Sequence, residues 1–510
     1  GVSIVSNLSD LLPAGAAAKQ LTFTDSGSGI ASKAPCVLES AGTVSPIAIG
    51  SDSAGTPTYF SGSSDAKTQG GMASNGSGEI LYAYRANNGY GTVQVVNYAT
   101  PGGSITYGTP VTFSSSSTGG VSCAYDIQSG YYVVAYTNSG SNFVGECRCV
   151  SVSGTTPTVN SATALSSYPY QVNNTDCEYD PTQQKTFIAH DYVYDDGAST
   201  IYSGGYVRLC DPSNAYNPPT VHGGVDAVGG ANPWFYTAPS MSYDASVSKT
   251  VLFYCDLSGN AFSKIISVSG TTPSFSGSTA FNSGSTAYPN ACYDSSQNVQ
   301  VVAWIDLSGS NRGNIRAGTT GASSITYGGE VEFSDGQTVN QANNAIAIAY
   351  DANAQKVVVA YAADDDSDNG KVTIVSVSGT TLTPASSLYL DGSTGTPVDN
   401  FASAYDATGK RVIVTYRITS NDQTRLNAVA PGATNLTATN FVGIADSAIS
   451  ASAAGSVIVQ GGTVTGLSSL TTGSKYYVQP DGTFGTSAGD PSVNAGIAIS
   501  TTSLLLNGDS

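Results

Sequence analysis

Apolar and polar positions alternate with period two along most of this chain, and apolar runs close on an aromatic residue at regular intervals. AIAIAYD (345–351) is followed by a polar turn and KVVVAY, ending at Tyr361. Alternation over short runs bounded by Gly, Ser, Asn and Asp predicts half-buried strands. The phrase returns seven times, with markers at Ser74, Asp126, Asp180, Asp244, Asp294, Asp351 and Asp406. In each copy the closing residue stands ten positions later, at Tyr84, Tyr136, His190, Tyr254, Trp304, Tyr361 and Tyr416. The steps are 52, 54, 64, 50, 57 and 55 residues, and a strand-only repeat of that size predicts a radial or stacked β architecture.

Each period holds four strand-like runs. A third run recurs as KVTIVSVSGTT (371–381) and ECRCVSVSGTT (146–156), a fourth as SITYGTPVTF (104–113) and SITYGGEVEF (324–333). The expected fold is all-β: a seven-bladed β-propeller of four-stranded blades spanning 55–431, with a flanking β domain from the terminal segments. GTPTYFSG (55–62) matches GTPVTFSS (108–115), so 55–63 is expected to pair with the strand near Thr424–Ala430 and close the last blade. The N-terminal segment 1–54 and the C-terminal segment 432–510 alternate in the same way, and Asp481-Gly482 is a hairpin signal. Ring closure would bring them together as one co-folded domain. The segment around Leu11 is the best helical candidate, and it is short.

The repeated Tyr-Asp has a structural explanation. An Asp that ends a strand bonds the backbone two residues on, and a catalytic residue would occur once, not in every copy. The closing aromatics, and His190 in their series, are expected to pack between blades.

Composition narrows the function. Charged residues are 11 %, and 18 basic against 36 acidic residues give a net charge of −18. No basic cluster is present to displace counterions, so nucleic acid and anionic membranes are not expected partners. No apolar run is long enough to cross a bilayer as a helix. Position 1 is Gly, not Met, which leaves room for residues upstream. The eight cysteines lack metal-site spacing. Cys123 and Cys177 occupy equivalent places where other repeats have Met241, Ile348 and Ser403, as small buried apolar residues would. Free thiols suit a protein that folds in a cytosol.

Repeats of the YDxxxxKVVVAY type, with SVSGTT third strands and FNSGST links (Phe281–Thr286), resemble those of tail-fibre and other virion structural proteins of marine bacteriophages. The C-terminal GLSSLTTGSKYYVQPDGTFGTS (466–487) and AGIAISTTSLLL (495–506) resemble a module at the ends of phage fibre proteins. The resemblance implies a homo-oligomeric appendage exposed on the virion, acting in attachment to a host surface glycan or to neighbouring virion proteins. It carries over no catalytic residues, and a non-enzymatic role is expected. The contrasting classes are a bacterial adhesin and a secreted carbohydrate-active propeller enzyme.

Candidate sites are few. Sialidase-type Asp boxes do not occur, and no pair of the plentiful carboxylates is singled out for glycoside hydrolysis. In DDDSDNG (364–370), Asp364, Asp366 and Asp368 alternate like a loop of hard oxygen ligands, making Ca²⁺ the one candidate cofactor. Asn369 stands where an EF-hand has Gly, and a solvated acidic turn is the competing reading. Aromatic residues crowd the long third step. Tyr192, Tyr194, Asp195 and Asp196 in the 191–205 insertion, and Trp234, Phe235 and Tyr236 before the fourth marker, are expected to form a binding rim for glycan or partner protein.

Overall fold

A computed structural model describes residues 20–60, 68–98, 105–166, 170–195, 201–212, 218–228, 235, 237–341, 344–391 and 395–507. The helical candidate near Leu11 lies outside them. Among the described residues there is no α-helix. The regular structure is strand, with 3₁₀ turns at Ser139–Ser141 and Asp364–Asp366.

The chain divides into two compact units, Asp52–Pro431 and Gly1–Ser51 with Gly432–Ser510. Residues 52–54, expected to belong to the terminal segment, join the larger unit. Ser53 bridges to Ala430, and Asp52 pairs with Lys356 at 3.1 Å.

Within the larger unit each copy of the repeat folds as an antiparallel meander. The sixth is typical, running Ile346–Asp351, Lys356–Ala363, Asn369–Ser378 and Thr381–Pro384, with Asp351 opposite Lys356 across the first turn. The marker side chain closes that turn. Asp351 Oδ1 accepts from the N–H groups of Asn353 (2.9 Å) and Ala354 (2.8 Å), and Asp180, Asp294 and Asp406 accept a matching pair, while Asp126 accepts from the N–H of Ser129 and Asp244 from that of Ser246. Ser74 plays the part with its hydroxyl, accepting from the N–H of Gly76 at 3.2 Å.

The first strand of each meander lies beside the first strand of the next, and Val398–Asp406 of the last copy lies beside Thr68–Ser74 of the first. In the later copies the tyrosine before the marker reaches the preceding copy's turn. Tyr243 Oη lies 2.7 Å from Thr182 Oγ1, and Tyr293 Oη accepts from the N–H of Ser246 at 3.2 Å. A phenylalanine from one copy's outer edge packs on the closing aromatic of the next. These pairs are Phe113 with Tyr136 (4.8 Å), Phe235 with Tyr254 (5.7 Å), Phe281 with Trp304 (5.4 Å) and Phe333 with Tyr361 (5.4 Å). His190 fills the aromatic's place in the third copy and is fully buried.

The strand Thr58–Tyr59 pairs with Gln423–Val429, Thr58 opposite Leu426 and Tyr59 opposite Arg425, at the outer edge of the last meander. Phe60 then continues the phenylalanine series, 6.4 Å from Tyr84 and 5.4 Å from Tyr82.

In the smaller unit, Gln20–Asp25, Pro35–Ser40 and Thr43–Pro46 close a barrel with Phe441–Ala445 and Ala454–Val459. A second sheet contains Thr463–Thr465, Lys475–Val478, Phe484–Gly485, Val493–Ser500 and Ser503–Leu506. One core serves both: Val37, Ile444 and Ile458 pack with Val464, Val478 and Leu504.

Candidate functional site

The aromatic rim expected from the third step is only partly visible. Asp196, Trp234 and Tyr236 lie outside the described residues. Tyr194 and Asp195 are placed by backbone alone, opposite Tyr202 and Ile201. Tyr192 is half-buried, stacked on Tyr170 at 4.4 Å and tilted against Tyr206 at 5.2 Å. Thus Tyr170 and Gln171 do meet the start of the insertion, through Tyr192 and Val193. Phe235 is a correction. It is fully buried against Tyr254 as a member of the inter-copy phenylalanine series, so it cannot belong to a binding face.

The acidic turn is also corrected. Among the described residues no three His, Cys, Asp or Glu side chains are grouped to hold a metal. Asp366 accepts from Lys371 Nζ (2.9 Å) and Tyr389 Oη (2.7 Å), Asp368 accepts from Asn340 Nδ2 (2.5 Å), and Asp364 points outward, exposed. The same turn is made without acids in the second copy. There Ser139–Ser141 is followed by Asn142 and Phe143 at φ 59° and 61°, against 58° and 57° for Ser367 and Asp368. The carboxylates decorate a turn that does not need them.

The structure instead presents a cavity of about 410 Å³ that sequence reasoning missed. Its wall draws on six copies of the repeat, through residues such as Arg85, Gly120, Asn173, Pro239, Asn290 and Asn344. Two backbone bulges, Gly120-Val121 and Tyr288-Pro289, form part of its wall. In the first strands of four copies, two residues oppose the single closing aromatic: Gln69-Gly70 face Tyr84, Gly120-Val121 face Tyr136, Tyr288-Pro289 face Trp304, and Asn400-Phe401 face Tyr416. Tyr288, Asn344 and Asn400 hold φ of 52°, 52° and 55°, and Gly120 holds 49°. Bulges re-aim the chain beside binding sites, and left-handed non-glycine residues mark places where the fold holds strain. Asn tolerates that region best, whereas Tyr288 does so under the restraint of Thr237, whose Oγ1 accepts its N–H at 3.0 Å.

Rim amides link copies of the repeat, adjacent and non-adjacent. Asn290 Nδ2 donates to the carbonyl of Ile346 (3.3 Å), and Asn344 Nδ2 donates to that of Gly70 (3.2 Å). Behind Asn173 and Asn174, the buried Asp191 accepts both backbone N–H groups (2.6 and 3.0 Å) and the Asn174 side-chain amide (3.0 Å). His190 Nε2 accepts from Arg208 Nε at 3.0 Å, which requires a neutral ring donating from Nδ1 to the Asp191 carbonyl at 2.7 Å. Burial, ahead of the nearby Arg208, lowers the imidazole to about 4. Below Thr175, Asp176 and Glu178 share one face of the strand Thr175–Asp180 and accept the N–H groups of Met241 (2.6 Å) and Tyr243 (2.8 Å). Burial pushes Asp176 up to about 7 and Glu178 up to about 8.

No family model and no curated protein sequence matches the chain. Among solved structures, the BP39L lectin from Burkholderia pseudomallei is similar over 72 % of this chain and 98 % of its own, at 16 % identity and a TM-score of 0.52. The periplasmic gluconolactonase PpgL of Pseudomonas aeruginosa is similar over 63 % of this chain and 85 % of its own, at 11 % identity and a TM-score of 0.43. The NanB sialidase of Streptococcus pneumoniae matches 73 % of this chain and 69 % of its own, at 10 % identity and a TM-score of 0.42. The lectin likeness speaks to fold: this is an all-β, propeller-like chain.

Proposed function

We propose that the chain is a seven-bladed β-propeller with a flanking β domain, and that it is a recognition protein which binds a polar, sugar-sized ligand at the mouth of its channel. The seven copies, the circuit of neighbouring first strands and the pairing of Thr58–Tyr59 with the last copy support the blade count. The cavity carries the functional reading. At about 410 Å³ it falls in the lower part of the range of ligand pockets, roughly 300–1,000 Å³, and its wall combines amides, hydroxyls and turned backbone as a polyol site requires. A propeller of similar fold is a lectin, which accords with this reading.

The protein's setting, on this reading, is a virion, where it acts without chemistry as an appendage in attachment to the host surface or to neighbouring virion proteins. The C-terminal motif of 466–487 supports that setting. The experiment is a glycan array probed with the full chain and with Asn173→Trp, which fills the exposed side of the cavity. Binding to defined glycans that the variant loses is expected, and binding that survives the variant would sink the cavity assignment. Antibody labelling of purified particles tests the setting, which falls if the protein is absent from them.

A second reading, a carbohydrate-active enzyme, is favoured by Asp176 and Glu178. A carboxyl held protonated near neutral pH is what a general acid needs. Polysaccharide turnover lost in Asp176→Asn or Glu178→Gln would establish it.

A further inference from the structure

Among the described residues Arg85 is the one charged side chain in the cavity wall. It ends the strand Glu79–Arg85, opposite Thr68, and is half-buried. Other guanidinium groups of this chain are engaged. Arg417 pairs with Asp399 and Asp422, Arg312 with Glu332 and Arg425 with Asp391, while Arg148, Arg208 and Arg316 donate to Tyr136, His190 and Phe281. Among the described residues Arg85 has no ion pair.

The carboxylate behind the rim does not compete for it. Asp191 is bonded by the Asn173 and Asn174 N–H groups and the Asn174 amide. A guanidinium in a partly enclosed wall presents a planar fork of donors that matches an oxyanion two-to-two, and such charge-assisted pairs are stronger than neutral ones. Asn290 and Asn344 donate their amide hydrogens to the chain itself, and their Oδ1 atoms accept no hydrogen bond among the described residues. Those atoms are acceptors for ligand hydroxyls. The site thus offers acceptors for a polyol and one donor fork for an anion. The net charge of −18 opposes an anion only at range, since ions screen it over about 8 Å at physiological salt.

We propose that this cavity takes a sugar bearing a single oxyanion, a carboxylate or a sulfate, with Arg85 holding the anionic group and the rim asparagines reading ring hydroxyls. The proposal rests on the reading of the cavity as the ligand site. Calorimetric titration of the full chain with glucose, glucuronate and glucose 6-sulfate tests it. One anionic probe should bind at least about tenfold tighter than glucose, as a charged hydrogen bond does. A preference for glucuronate assigns the carboxylate, and a preference for the sulfate assigns the other source. Arg85→Gln should abolish the preference. Arg85→Lys, which keeps the charge but not the fork, should retain part of it. Equal binding of all three probes, unaltered in Arg85→Gln, overturns the proposal and leaves the cavity reading standing. Anionic binding that survives Asn173→Trp overturns both, and binding of none of the three probes overturns the proposal.

Discussion

Asp176 and Glu178 occupy alternate positions of one strand, where burial disfavours both charges and the Asp176 carboxylate further penalises that of Glu178. Their folded-state pKa values lie above the ordinary 3.8 and 4.5, so their favourable contribution is complete below about pH 4 and is lost as pH rises through 7 and 8. The melting temperature should therefore fall between about pH 4 and pH 8. Asp176→Asn with Glu178→Gln keeps the acceptors for Met241 and Tyr243 and removes the titration. Calorimetric scans across that range should show most of the fall gone in the double variant, and an unchanged slope would refute the assignment. At this scale the sequence was informative about turns: an Asp in six copies and Ser74 in the first, each followed by short polar residues, dictate the turn geometry locally. It was uninformative about packing between copies. Nothing near Asp176 in the chain distinguishes a strand face that lies against the first strand of the next copy from one that looks into water.

At the level of strands, closure rests on a short element. Thr58–Tyr59 is only a two-residue strand, but it leads into Phe60, which is 1 % exposed and lies 5.0 Å from Tyr107 as well as against Tyr82 and Tyr84. Phe60→Ala should cost about 3–5 kcal/mol in urea unfolding, as a large-to-small change in a packed core does. Tyr59→Ala removes an exposed ring 4.8 Å from Arg425 and should cost no more than about 1 kcal/mol. Equal losses would mean that pairing of the strand, not insertion of the phenylalanine, holds the closure. The register was legible because GTPTYF repeats GTPVTF, and both phenylalanines meet a closing tyrosine. Phe235 was misread although it belongs to the same series. It precedes its marker by nine residues where Phe113 precedes its own by 13, so spacing concealed the equivalence that packing makes plain. The bulges were equally hidden. Their αL positions are filled by Gly120, Tyr288 and Asn400 in different copies, so no single residue type marked them in the sequence.

On the scale of the molecule, the two chain ends supply one unit. Deleting 432–510 removes Phe441–Ala445 and Ala454–Val459, two of the five strands of the closed barrel, and leaves Gln20–Asp25, Pro35–Ser40 and Thr43–Pro46 with exposed edges. In that truncated chain, limited proteolysis followed by mass spectrometry should remove residues up to about the start of the larger unit while 52–431 resists. Protection of 20–46 would show that the N-terminal strands fold without the C-terminal ones. The alternation in both terminal segments announced strands, but a parallel pairing of Gln20–Asp25 with Thr43–Pro46 has no local signature, because its partners are chosen by the barrel and not by a turn.

The eight free thiols give this architecture a built-in record of its own opening. Seven are buried and Cys292 is half-buried, and burial pushes Cys36 up to about 12 and the thiols of Cys123, Cys177 and Cys255 above their usual range. Thiolate is the form that alkylating reagents attack, so the native chain resists them. Cys36 sits in the barrel of the terminal unit, and the others are spread over the second to fifth copies, leaving the first, sixth and seventh unmarked. A timed exposure to such a reagent therefore writes the order of local unfolding into the masses of individual peptides. A closing seam that parts first would remain silent in that record until the breach reached Cys123 on one side or Cys292 on the other.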